Sequence, residues 1–377
     1  MLSCVVAAAV AVTLATWAHY AYWSRRYLER PGQDELLFGE TSDHWRLALG
    51  RRRPHGTPLG PPVLLVHGVA ANRGAMDFVL ARWSLAAHLA EGGFDCFALD
   101  LRGHGDSRRT GGARRAWSFD DHLRLDVPAA LEAVRAATGS SQVLWVGHSQ
   151  GALLGMAACA AYPERVAGLV AVAAPAFFGA QGTLKIVARF GFLFTGRLNR
   201  FLARCLAPFS GFWHPPVSEV AINGHNVTRP VYRRVLVNVV ENISVGVLRQ
   251  LGRWVVTDTF ASLDGSVDYR AALSSCRQPA LFVAAAADRI APPAVVEKGA
   301  RAWGGEADLL RVGLTGGACC DYGHSDLLFG RRAPEEVFAS IRDWLAAHAE
   351  PVPERTVAPD PPLPRGSKGR RGEERLA

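Results

Sequence analysis

The pentapeptide Gly147-His148-Ser149-Gln150-Gly151 sets a serine between two glycines, after an apolar run at 143–146 and before a small-residue stretch at 152–161. A strand that turns abruptly into a helix leaves no room for side chains at the flanking positions. The pattern therefore predicts a serine hydroxyl held into a cleft on a strained backbone. The string alone is a weak signal, and its strand-before, helix-after context gives it force. A hydroxyl is a poor nucleophile until a base takes its proton, and that base needs an acid to fix its tautomer. Asp288 follows the apolar run at 280–286, where a strand ends. His324 lies in Asp321-Tyr322-Gly323-His324-Ser325-Asp326, ahead of a final helix around 334–348. Both follow the serine in the chain order a Ser, Asp, His triad takes on such a sheet. Asp321 and Asp326 stand too near His324 in sequence to be favoured as its orienter, and Asp264 and Asp268 follow no strand, so either pair reads as solvated carboxylates.

A tetrahedral intermediate needs two N–H donors for its oxyanion. Gln150, the residue after the serine, is expected to give one, and Val69, in the loop that follows the apolar run 63–66, the other. Gly68 lets that loop approach closely, and His67 is expected to brace it. The cluster Asp100-Leu101-Arg102-Gly103-His104-Gly105-Asp106-Ser107 also holds Asp, His and Ser, but its two glycines describe a tight loop with polar residues tying it together.

Apolar runs at 63–66, 94–99, 143–146, 166–173, 280–286 and 309–312 have the length of strands buried on both faces. Helical stretches separate most of them. One spans 120–138, with Leu123, Val127, Leu131 and Val134 on one side and Gly139 at its end. Alternation of this kind gives a mostly parallel α/β sheet with helices on both faces. Residues 36–38 and 45–49 add an expected antiparallel hairpin at its edge. The alternation stops at 176–257, read as an inserted helical cap over the sheet's carboxyl edge, so that the core comprises 36–175 and 258–348.

The chain has 377 residues, 49 % hydrophobic and 20 % charged, which excludes a mainly disordered protein. Seven cysteines without a paired CxxC or His spacing argue against a zinc site or a disulfide framework. No Asp, Glu, Lys or Arg occurs from Leu2 to Trp23, followed by Arg25, Arg26 and Arg30. Residues 1–30 therefore read as a single-pass anchor with a basic flank. Positive residues on that flank place the rest of the chain on the cytoplasmic side, the alternative being an exported protein whose signal sequence is cleaved. Residues 351–377 hold six of the 22 prolines and read as a disordered tail. The formal charge of +8 has one address: 176–257 carry ten Arg and Lys against Glu219 and Glu241. Eight of the 17 phenylalanines lie between Phe177 and Phe212. A basic, aromatic cap beside an anchor suits anionic lipid head groups and an amphipathic ester, and no basic run points to nucleic acid.

Together the His67-Gly68 loop, the 100–107 loop, the elbow at 147–151, Asp288 and His324 resemble the α/β-hydrolase superfamily. Trp117-Ser118-Phe119-Asp120 and Asp126-Val127-Pro128-Ala129, with the elbow, look like acid lipases of the gastric and lysosomal type. The resemblance spans about 36–348 and implies hydrolysis of lipid-like acyl esters beneath a helical cap, without a cofactor or metal. Two other functions compete: a thioesterase or peptidase using the same residues, and a non-catalytic member of the fold that binds a lipid or a partner. The oligomeric state is not legible.

Overall fold

The computed structural model describes residues 2–112, 116–178, 198–212 and 218–349. The expected tail at 351–377 and residues 179–197 and 213–217 of the inserted segment lie outside the described residues. The chain opens with helix α1 (Leu2–Tyr27), whose residues 3–18 are all exposed. Strands β1 (Glu35–Glu40) and β2 (Trp45–Arg52) form the expected antiparallel hairpin, with Leu37 opposite Leu49.

The remaining strands are β3 (Val63–Val66), β4 (Cys96–Leu99), the two-residue β5 (Arg108–Arg109), β6 (Val143–His148), β7 (Val166–Val172), β8 (Ala280–Ala285) and β9 (Ala307–Val312). They form one sheet in the order β1-β2-β4-β3-β6-β7-β8-β9, with β5 beside β2. All pairings from β4 across to β9 are parallel. The chain runs from β3 outward to β4 and then returns to the other side of β3 with β6. Strands β3 and β6 are neighbours, with Val66 opposite Gly147. A ligand crevice opens at such a reversal of strand order, and both loops expected to carry chemistry leave the sheet there.

Val63 to Val66 and the whole of β6 and β8 are buried, as continuous apolar runs require. The run at 309–312 departs from that expectation. Strand β9 is the sheet edge and only Val312 in it is buried, because helix α2 (Pro293–Ala302) packs on one side and, among the described residues, no strand lies beyond it. The expected helix over 120–138 is also subdivided. A capping box at Ser118 starts it, His122–Asp126 widen into a π turn, and regular helix continues over Val127–Thr138 to a left-handed Gly139 (φ 74°). The Asp126 carboxylate inside that turn accepts from Arg102 Nε (2.8 Å) and sits 2.8 Å from His122 Nδ1. Asp126 thereby ties its own helix turn to the 100–107 loop.

Between β7 and β8 the described residues include the helices α3 (Leu198–Leu206), α4 (Arg229–Arg234) and α5 (Val245–Thr257), joined by short turns and loops. Their footing is specific. The buried Asp120 carboxylate accepts from Gln250 Nε2 (2.6 Å) on α5, from the Tyr269 hydroxyl (2.8 Å) and from Leu263 N (2.8 Å). Gly246 packs where a Cβ would overlap the carbonyl of Trp117.

Candidate active site

Ser149 stands between β6 and the helix Gln150–Ala161 with φ 54° and ψ −116°, a conformation that L residues rarely adopt. The two elbow glycines have no substitutes. A Cβ on Gly147 would overlap the backbone of Gly151 and Ala152, and one on Gly151 would overlap the Val66 carbonyl. The turn is braced from both sides, by Ser149 N donating to Val172 O (2.8 Å) and by Trp145 Nε1 donating to Gly151 O (3.0 Å).

His324 and Asp288 meet as their order predicts. His324 Nδ1 lies 2.8 Å from Asp288 Oδ2, and both side chains are buried. Asp288 Oδ1 accepts from Ile290 N (2.7 Å) and Ala291 N (2.8 Å). Burial alone would raise the Asp288 pKa, but the His324 ring and these amides outweigh it and hold the carboxyl below its usual range. The carboxylate form accepts the Nδ1 proton and so fixes the orientation of the His324 ring. Among the described residues no hydrogen bond joins Ser149 to His324. The residue next to the serine makes the link instead. His148 Nε2 donates to the His324 carbonyl (3.1 Å), and the two rings lie 4.8 Å apart. Burial and the neighbouring His324 push the His148 pKa down to about 3, so His148 is a neutral brace.

The loop after β3 packs on the elbow: a Cβ on Gly68 would sit 3.2 Å from Ser149 Cβ. Neither Val69 N nor Gln150 N donates to a described residue, which leaves two N–H groups beside the serine. His67 braces this loop as expected. Leu101 N donates to His67 Nε2 (3.2 Å), so the proton is on Nδ1, which donates to Gly68 O (2.8 Å). The 100–107 cluster is structural too. Asp100 accepts from Arg73, with which it pairs, and from Asp106 N (2.8 Å), while Ser107 Oγ donates to Asp100 O (2.6 Å).

Asp326 corrects the sequence reading. Far from solvated, it is fully buried and accepts from Gly323 N (2.9 Å), Asn223 N (3.0 Å) and Asn226 Nδ2 (2.8 Å). Ser325 N donates to Ala221 O (2.9 Å). The loop that carries His324 is thus held by residues 221–226, between β7 and β8. The same segment reaches the opposite side of the site, where Glu241 N donates to Ala70 O (2.8 Å), one residue beyond Val69. No spacing in the sequence signals these ties, since their partners lie about a hundred residues or more apart. Asp264 and Asp268 serve locally, Asp264 accepting from Ser262 and Ser266 and Asp268 capping a short helix.

A family model described as the alpha/beta hydrolase fold matches residues 61–316. Lysosomal acid lipase/cholesteryl ester hydrolase of Homo sapiens is 35 % identical over 146 residues, 36 % of this chain and 36 % of that protein. Gastric triacylglycerol lipase of Homo sapiens is 32 % identical over 125 residues, 32 % of this chain and 31 % of that one. The chain therefore matches about a third of the length of these curated relatives. Among solved structures, a thermophilic esterase from Thermogutta terrifontis aligns with a TM-score of 0.56 at 21 % identity, covering 84 % of this chain and all of that one.

Proposed function

Because the chain belongs to the alpha/beta hydrolase fold family, we propose that it is a serine hydrolase of carboxylic esters with lipid-like acyl groups. The observation that carries this reading is a serine at φ 54° on the strand-to-helix turn together with a buried His324–Asp288 couple whose histidine is tied to that turn through His148. Ser149 Oγ attacks the ester carbonyl carbon while His324 Nε2 takes its proton. The negative charge on the carbonyl oxygen falls to the N–H groups of Val69 and Gln150. Asp288 stays ionised and steadies the imidazolium. The C–O bond breaks, His324 returns the proton to the leaving alcohol, and a water activated by the same nitrogen releases the acid from Ser149. Ser149→Ala is expected to abolish hydrolysis of p-nitrophenyl acyl esters with the fold intact by circular dichroism. Unchanged turnover would sink the proposal. Thioester and amide substrates assayed at equal concentration separate it from thioesterase or peptidase action, and a protein that a fluorophosphonate probe leaves unlabelled would be a binder.

The reading includes retention of α1 as a membrane anchor, with residues 176–257 as a cap beside it. What supports retention is that the second half of α1 is built into the fold. Tyr27 is buried with Ala207 and Val237, Tyr20 stacks on Phe201 at 5.1 Å, and Asn238 Nδ2 donates to Tyr27 O (2.9 Å). A cleaved signal sequence has no reason to make such contacts. Alkaline carbonate extraction tests the anchor: protein released to the supernatant contradicts it. The flank Arg25, Arg26 and Arg30 and seven free thiols favour the cytoplasmic side. An impermeant thiol reagent that labels exposed Cys319 from the outer face of intact cells would reverse that placement.

A further inference from the structure

A cavity of about 470 Å³ lies where three parts of the chain meet: the segment that follows α1, the core loops at 72–74 and 105–106, and the inserted segment. Four arginines line it, Arg30, Arg73, Arg200 and Arg204, with three carboxylates, Glu29, Asp106 and Glu241. Every one of those carboxylates is already engaged. Glu29 pairs with Arg234 (2.8 Å), Glu241 with Arg200 (3.2 Å) and Asp106 with Arg73 (2.7 Å), which also holds Asp100. Arg204 is left over.

Arg204 is 8 % exposed, and among the described residues it pairs with no carboxylate. Its guanidinium reaches the Tyr20 hydroxyl (3.3 Å) and the Val237 carbonyl (3.1 Å), and its buried Nε has no partner. Arg73 Nε is likewise buried and unpartnered. Arg30, at the exposed rim, makes no described ion pair. A buried cation facing only neutral dipoles is costly unless an anion joins it. The cavity thus offers one buried guanidinium without a carboxylate partner, that of Arg204, with the exposed Arg30 at its rim.

The position identifies the anion. Tyr20 lies eight residues before Leu28, about 12 Å along a helix at 1.5 Å per residue, and the cavity begins at Leu28. Trp17, Tyr20, Tyr22 and Trp23 mark the depth at which aromatic rings sit in head groups. Beside them α3, which stacks Phe201 on Tyr20, turns Leu198, Leu202 and Leu206 outward, and Phe209 and Phe212 follow, all exposed. This apolar stripe is continuous with the exposed face of α1. The cavity therefore opens at the level where the phosphates of a bilayer lie.

We infer that this cavity binds the phosphate of an anionic membrane lipid through Arg204 and Arg30. The inference rests on the anchor reading above. A lipid there would touch the segment that follows α1, residues 200–241 and Arg73 together. It would also be joined to the oxyanion side through Glu241, which lines the cavity and whose N donates a hydrogen bond to Ala70 O.

The test is native mass spectrometry of the full-length, detergent-solubilised protein with phosphatidylglycerol or phosphatidylcholine added at equal concentration. Phosphatidylglycerol is expected to bind at least tenfold more tightly. Arg204→Gln is expected to remove that preference and Arg30→Gln to weaken it at least threefold. Arg249→Gln, on α5 and away from the cavity, is expected to leave it intact. Equal retention of the two lipids, or preference unchanged in both Arg204→Gln and Arg30→Gln, overturns the inference. If Arg204→Gln misfolds by circular dichroism, Arg30→Gln at the exposed rim decides alone. Inorganic phosphate that competes at the same concentration as the lipid shows a free-anion site and also overturns it. Carbonate extraction of the same variants reports on the anchor separately, so protein that stays in the membrane without lipid preference fails this inference alone.

Discussion

Asp326→Asn isolates the tie between the inserted segment and the histidine loop. The carboxylate takes three hydrogen bonds, Oδ1 from Asn223 N and Oδ2 from both Gly323 N and Asn226 Nδ2. An amide keeps the shape but must turn its NH2 toward one set of donors. The better orientation gives up the Asn223 bond and sets two donors face to face. Losing one charge-assisted bond in a buried site costs roughly 1.5–3 kcal/mol. A loss of about 3 kcal/mol in unfolding free energy is therefore expected once the repulsion is added. Gly323 is the residue before His324, so slackening there displaces the proposed base. A misplacement near 1 Å costs on the order of 100-fold in rate, and kcat for p-nitrophenyl esters should fall about 10- to 100-fold with KM little changed. Urea unfolding and steady-state kinetics on the same preparation give both numbers. A variant destabilised as expected but with full kcat would show that Asp326 holds the fold and not the base, and would refute the reasoning.

Two further outcomes follow from the same structure. Gly151→Ala drives a methyl into the Val66 carbonyl and is expected to cost at least about 3 kcal/mol, read as a lower urea midpoint or insoluble expression; a wild-type midpoint contradicts the close approach of helix and strand. His67, His104 and His148 are buried with depressed pKa values, burial being the main cause, His104 at about 4 and His148 at about 3. The unfolded chain takes up these protons below about pH 6.5 while the native state does not, so stability is full above that pH and declines as pH falls toward the folded values. The slope is about 1.4 kcal/mol per pH unit for each histidine and roughly 4 for the three. Unfolding midpoints at pH 7 and pH 5 measure it, and equal midpoints contradict it.

What was legible in the sequence is what is local. The elbow, the loop after β3 and the positions of Asp288 and His324 follow from glycines and apolar runs within a few residues of each group. Gly147 and Gly151 are required by contacts that any strand-to-helix turn would make. Asp326 was misread because its partners, Asn223 and Asn226, are far off in sequence, and nothing about an aspartate two residues from a histidine says that it faces inward. The exposure of β9 was misread for a related reason. The composition of Leu309, Leu310 and Val312 reports apolar content, whereas edge position depends on there being no later strand to cover it. The packing of α1 on α3 was also hidden, because aromatic residues near a span serve equally well against lipid or against protein.

The φ of 54° at Ser149 has a thermodynamic consequence for the whole molecule. A side chain held in the left-handed half of backbone space costs on the order of 1–3 kcal/mol, and here the cost is offset by the burial of β6 and its following helix. The fold is therefore less stable with serine at this position than it would be with glycine in the same place. On the proposed role of Ser149, stability and reactivity are in opposition at this residue, and a search for hardier variants that ignores turnover drifts toward removing the hydroxyl.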